Sequence, residues 1–266
     1  MLQRTIAAQM FDSLYGAAAD NEITLLRDGS AASMCAIDAA QAQTSPRFAT
    51  LVPLTTRDDI LPAMITIYHS PGTRSIRVIW LCEELALPYD IVPVDFSAAY
   101  RATDEWRRLN PVGKVPALRD DDFTMFESGA MVEYLLERYG RGRLRPAPGT
   151  RDSAFYFQWT WFAEATFARP LGDIAQHTIV KPEAHRIAAV VDDGRTKALT
   201  CLDALEAAVP GGSYLVNDTF TAADIMMGYT LILARRFKVL TPTTYTNVNA
   251  YMARLEQHPG FVKAQS

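Results

Sequence analysis

Three hydroxyls, Ser70, Thr73 and Ser75, fall within six residues of one another around the pair Pro71-Gly72. Pro-Gly is turn chemistry, and Ser or Thr just ahead of an apolar-periodic stretch marks a helix start. At such a start the main-chain N–H groups are unpaired and the dipole favours negative charge, so hydroxyl donors gathered there can stabilise an anion. Further on, Val115-Pro116 is a step that can hold a cis peptide bond. Glu127-Ser128 stands where a strand gives way to a helix. There Ser128 and the first helical N–H groups suit a carboxylate, and Glu127 suits an ammonium.

Other chemistries are poorly served. Cys35, Cys82 and Cys201 form no C-x-x-C pair and no metal-ligand spacing, and His69, His177, His185 and His258 are equally scattered, so no metal is expected. Sparse thiols, odd in number, suit a reducing compartment, and a cytoplasmic location is the expectation. A formal net charge of −4 without a Lys/Arg-rich run argues against nucleic acid. Apolar stretches are broken by charge within a few residues, which argues against a membrane span.

The elements that must position these residues begin at Met64. Met64 to Tyr68 alternates and is rich in β-branched residues, a strand. Ser75 to Leu85 reads as a helix with Val78, Leu81, Cys82 and Leu85 on one stripe, ended by Pro88. Tyr89 to Phe96 is a second strand, completing a parallel βαβ unit. A short helix over Arg101 to Leu109 precedes two strands, Val115 to Leu118 and Phe123 to Phe126, flanking an acidic turn at residues 120–122. A helix opens at Glu127-Ser128, with Met131, Tyr134, Leu135 and Tyr139 on its stripe. The order βαβ-α-ββ-α is then complete.

Everything beyond the Gly-, Arg- and Pro-rich stretch from Gly140 to Thr150 reads helical. Helices are expected from Asp152 to about Gly172, from Glu183 to Val209 after Pro182, and from about Thr244 to Gln257. Phe220 to Ile225 spells a helix start in full, with a capping box of Thr221 and Asp224 and a hydrophobic staple of Phe220 and Ile225. The expected organisation is an α/β domain over residues 64–142, a linker over 143–150 and an all-α domain over 151–266. Residues 1–63 differ: they hold no Lys or Trp, carry four Arg against seven Asp and Glu, and sustain no period. They read as a poorly ordered extension or an over-long translation start with Met64 as the natural first residue. The rival reading is a small accessory element.

Four blocks, Ser70-Pro71-Gly72-Thr73-Arg74-Ser75, Asn110 to Leu118, Glu127-Ser128 and Phe220 to Asp224, resemble glutathione transferases, particularly bacterial ones, in order and separation. The resemblance covers Met64 to the C-terminus. It implies a thioredoxin-like domain (βαβ-α-ββ-α) followed by an all-helical domain, a homodimer, and glutathione as co-substrate. It further implies that Val115, ahead of Pro116, offers its main-chain N–H and C=O to the cysteinyl part of glutathione, as an added strand would. Lys114 would meet the glycyl carboxylate, and Glu127 and Ser128 the γ-glutamyl end.

The catalytic problem is then thiol activation. Lowering a thiol pKa from about 8.5 by about two units takes roughly 2.7 kcal/mol of selective stabilisation of the anion. The beta-class loop resembles Ser-Pro-Gly-x-Cys-Ser, and here Arg74 stands where that cysteine would, which leaves a hydroxyl for the task. Ser70 and Ser75 rank together ahead of Thr73, with Arg74 as an electrostatic helper and Tyr68 as a packing residue. Cys82 reads as core. Tyr156, Trp159, Trp161 and Phe162 form an aromatic stretch able to line a pocket for a small hydrophobic electrophile, and Arg169 is a candidate for the same cleft. The expected reaction is transfer of glutathione thiolate to that electrophile. The alternatives are peroxidase, isomerase or dehalogenase chemistry at the same site, or a non-catalytic ligand-binding or regulatory role.

Overall fold

A computed structural model describes residues 64–266, so the expectations for residues 1–63 lie outside the described residues. Four strands, β1 (Ile65–His69), β2 (Tyr89–Pro93), β3 (Ala117–Asp120) and β4 (Phe123–Phe126), form one sheet in the order β2-β1-β3-β4. β1 runs parallel to β2 and antiparallel to β3, which pairs antiparallel with β4. The first domain is therefore thioredoxin-like. β2 ends at Pro93, short of the expected Phe96, because proline cannot donate to a ladder and is tolerated at an edge.

The two faces of the sheet are filled by different residues because side chains alternate along a strand. Ile65, Ile67 and Leu118 pack into the main core with α1 (Ser75–Leu85). The opposite face carries a smaller cluster, Val94, Trp106, Val115 and Ala117, with Tyr68 against Trp106 at a ring distance of 6.0 Å. Trp106 comes from α3 (Asp104–Leu109), which follows the single turn α2 (Ala98–Arg101) in place of one expected helix. Ser97 and Thr103 each cap a helix start and so divide the segment. α1 closes on a left-handed Ala86, with Leu87 N–H bonded to the Cys82 carbonyl, before Pro88 is reached.

The β3–β4 turn is tighter than expected. Asp120 belongs to the strand and is buried, accepting 2.6 Å hydrogen bonds from both Tyr134 and Tyr139 of α4 (Ser128–Tyr139). Only Asp121 and Asp122 remain as the connection, with Asp121 at a φ of 53°.

The second domain is helical. A continuous run comprises α5 (Arg151–Trp161), a π-helical segment (Phe162–Phe167), α6 (Ala168–Ala175) and a second π-helical segment (Gln176–Val180). Its course past the expected end at Gly172 includes Pro170, which has no N–H to give the Thr166 carbonyl; the wider turn immediately before it accommodates that loss. The segment from Glu183 is one 3-10 turn, and the long helix α7 begins only at Ala188 and ends at Ala208. α8 (Ala222–Arg236) is buried on every side through most of its length. Its capping box is formed: Asp224 accepts from Thr221 N–H at 2.8 Å, and also from Leu215 N–H and the Tyr251 hydroxyl. Phe220 stacks on His258, with 4.0 Å between ring centroids. α9 (Thr246–Leu255) and α10 (Pro259–Lys263) complete the chain. Among the described residues no helix is long and apolar enough to cross a membrane.

Candidate functional site

Sheet register brings the sequence blocks to one edge. Tyr68 at the end of β1 pairs with Ala117 at the start of β3, and Ala117 pairs with Phe126 at the end of β4. The loop after β1, the Val115-Pro116 step and Glu127-Ser128 therefore share one end of the sheet. The Val115–Pro116 peptide is cis, and the Val115 N–H and C=O bond to no other described residue. Lys114 beside it is exposed.

Within the loop the hydroxyls divide into two roles. Thr73 Oγ1 lies 2.7 Å from the Ser70 carbonyl, which can only accept, so Thr73 donates there. Ser75 Oγ, 2.7 Å from Thr73 Oγ1, must then donate to Thr73, and His69 Nδ1, 2.7 Å from Ser75 Oγ, must donate to Ser75. One directed chain, His69 to Ser75 to Thr73 to the Ser70 carbonyl, consumes both protons. Burial also lowers the His69 pKa below its ordinary value, consistent with a neutral ring bearing its proton on Nδ1. Ser75, ranked beside Ser70 from the sequence, is fully buried beneath the loop and holds it in shape, a correction to its expected contact with the thiol. Thr73 is likewise committed. Among the described residues the Ser70 hydroxyl alone of the three makes no hydrogen bond.

Helix α4 starts without a side-chain cap and without an acidic residue in its first turn, so its leading N–H groups are open to an anion. Ser128 is buried at that start, and Glu127 is exposed with φ at 75°, a conformation that favours glycine. α1 also starts without a side-chain cap.

The second domain supplies the wall behind these elements. Glu164, in the first π-helical segment, takes Arg74 in a two-pronged ion pair at 3.0 to 3.1 Å and pairs also with Arg77. Burial pushes the Glu164 carboxyl up, but Arg77 and Arg74 outweigh it and hold the group below its ordinary value. Arg74, expected as a helper at the thiol, thus commits its guanidinium to Glu164. Tyr229 donates to the Gly72 carbonyl at 3.3 Å, and the Arg236 guanidinium lies so close that a Cβ on Gly72 would stand 3.2 Å from it.

The aromatic stretch needs correcting. Tyr156 is fully buried and donates to Glu133, so it is a core residue and lines no electrophile pocket. Trp159 and Phe162 are half-buried against each other, 5.2 Å between centroids, and Trp161 is exposed. Arg169 is largely exposed, 3.9 Å from Asp173 one turn on. Cys82 is wholly buried, and burial pushes its thiol pKa up. Sequence reasoning missed His69, Arg77, Glu164, Tyr229 and Thr230. Only Arg77 carried a signal, a cation inside the apolar run from Ile76 to Cys82. Among the described residues no group of His, Cys, Asp and Glu is arranged to hold a metal ion.

Known proteins share this fold. Two family descriptions match the chain: Glutathione S-transferase, N-terminal domain, over residues 63–137, and Glutathione S-transferase, C-terminal domain, over residues 188–254. Glutathione S-transferase 3 of Zea mays is 30% identical over 165 residues, covering 61% of this chain and 74% of its own. Glutathione S-transferase 3 of Schizosaccharomyces pombe is 28% identical over 206 residues, covering 74% and 84%. The structure of the glutathione transferase URE2P8 from Phanerochaete chrysosporium with oxidized glutathione superposes at a TM-score of 0.68 and 26% identity, covering 76% of this chain and 93% of that one. These relatives are fungal and plant proteins and lend no support to the expected bacterial, beta-class-like subtype.

Proposed function

Since this chain belongs to the glutathione S-transferase family, we propose that it transfers the thiolate of glutathione to small hydrophobic electrophiles. Glutathione is the co-substrate, and no step requires a metal. The observation that carries the reading is the unengaged Ser70 hydroxyl, held at the end of β1 by the His69–Ser75–Thr73 chain. A hydroxyl so placed supplies a donor to an anion at low reorganisation cost. The cysteinyl main chain pairs with Val115 beside Pro116, and Lys114 meets the glycyl carboxylate. Ser128 and the first N–H groups of α4 receive the γ-glutamyl carboxylate, with Glu127 on the ammonium.

The electrophile is held beside the loop, with Trp159 and Phe162 as the apolar contributors. Orientation of thiolate against electrophile supplies much of the rate. With Arg74 in place of a cysteine, the loop is of serine type and forms no mixed disulfide. We read the protein as a cytoplasmic homodimer on family grounds, with the free thiols Cys82 and Cys201 suiting a reducing compartment; sedimentation showing only monomer would overturn the dimer.

The test is glutathione binding followed by turnover of an aryl halide, a hydroperoxide and a haloalkane. Binding with aryl-halide turnover supports the transferase. Binding with turnover of another substrate alone moves the reaction to peroxidase or dehalogenase chemistry, and binding without turnover leaves a ligand-binding role.

A further inference from the structure

Among the described residues Arg77 is the one lysine or arginine that is fully buried, and it lies in the first turn of α1, behind the loop. A charge taken out of water is tolerated only with partners. Arg77 has them in both domains: Nη1 donates to Ser128 Oγ at 3.3 Å and to Glu164, and Nη2 donates to Thr230 Oγ1 at 3.1 Å and the Met226 carbonyl at 3.4 Å. The Tyr229 ring lies against the guanidinium, 4.8 Å from its carbon to the centroid. The two terminal nitrogens are thus engaged while Nε is buried without a partner among the described residues, and one of the contacts falls on the residue read as the γ-glutamyl ligand.

A serine hydroxyl has one proton and two acceptor positions. Arginine only donates, so Ser128 Oγ accepts from Arg77 and its own proton is left for another acceptor. Among the described residues it has no such acceptor. The geometry points to Arg77 as a positioning residue that turns the Ser128 proton outward to an α-carboxylate, with Glu164 and Thr230 fixing the guanidinium from the second domain. This rests on the reading of Ser128 as the γ-glutamyl carboxylate site. Its consequence is that the helical domain tunes affinity for a group it never touches, through the π-helical turn that carries Glu164.

Calorimetric titration of Arg77→Lys with two ligands tests it: glutathione, and γ-aminobutyryl-cysteinyl-glycine, which keeps the ammonium but lacks the α-carboxylate. Lysine keeps the charge but not the fork that reaches Ser128, Glu164 and Thr230 together. The variant should bind glutathione about tenfold more weakly than wild type while its affinity for the analogue stays within about twofold. Glu164→Gln, on a partly exposed side chain and close in shape, provides the same comparison if Arg77→Lys does not fold; it should give a smaller loss, again confined to glutathione. Equal losses for both ligands would make Arg77 structural only and overturn the proposal, as would an unchanged affinity for glutathione. If wild type itself binds no glutathione, the functional reading fails, an outcome distinct from either.

Discussion

At the scale of single residues, the site is decided by where hydroxyl protons go. Ser70, Thr73 and Ser75 are indistinguishable by type and spacing; only the directed chain from His69 separates the free hydroxyl from the two committed ones. Ser70→Ala should therefore lower kcat/KM at neutral pH between about ten- and hundredfold. The same variant should raise the pKa of the bound thiol, read from the pH dependence of thiolate absorbance; an unchanged profile would exclude Ser70. Glu127 presents the opposite balance. Its φ of 75° costs about 1–3 kcal/mol for a residue with a Cβ, so Glu127→Gly should raise the melting temperature while weakening glutathione binding. If both rise together, Glu127 has no ligand role. The capping box at Thr221 and Asp224 was legible because caps are local chemistry, complete within four residues. The Arg77–Glu164 pair was not, because its partners are separated by 87 positions and meet only after both domains are packed.

At the scale of elements, the strands and helices around the site follow from alternation and stripe, and their ends from turn chemistry. What periodicity leaves open is which side of an aromatic helix faces the core, and that is how Tyr156 was placed in a ligand wall when it belongs to the interior. Pro170 likewise tells that a helix is perturbed without telling that the π-helical turn ahead of it carries Glu164 opposite Arg77. Glu164→Gln tests that contact by pH. The folded carboxyl lies below its ordinary value of 4.5, so its stabilisation is present above that pH and is lost as pH falls through the folded pKa. Wild type should exceed the variant by about 2 kcal/mol at neutral pH, part of which is the cost of a less well-paired buried Arg77. The gap in melting temperature should close in acid; a gap independent of pH would remove the charge from the explanation. Packing between elements is close at Trp80 of α1, where a Cβ on Gly228 or on Gly260 would stand 2.7 Å from the ring. Gly228→Ala should cost about 1–3 kcal/mol, measured by denaturant unfolding, and an unaffected midpoint would show that the ring has room to move.

At the scale of the whole molecule, the sheet end supplies the ligand contacts and the helical domain supplies the groups that aim them. A chain beginning at Met64 holds both, so deletion of residues 1–63 should leave folding and turnover intact; a large fall in melting temperature would assign those residues a structural part. The two-domain order was legible because each domain carries its own period and the Gly-, Arg- and Pro-rich stretch separates them. The division of labour was not, since it depends on contacts that no period records. The most direct measurement is a titration of wild type with glutathione at neutral pH, following thiolate absorbance in the complex. Saturation with one glutathione per chain is expected, the bound thiol ionised where a free thiol of pKa about 8.5 is still mostly protonated. Absence of saturation, or a bound thiol that titrates as it does in water, would contradict the assignment of this site to glutathione activation.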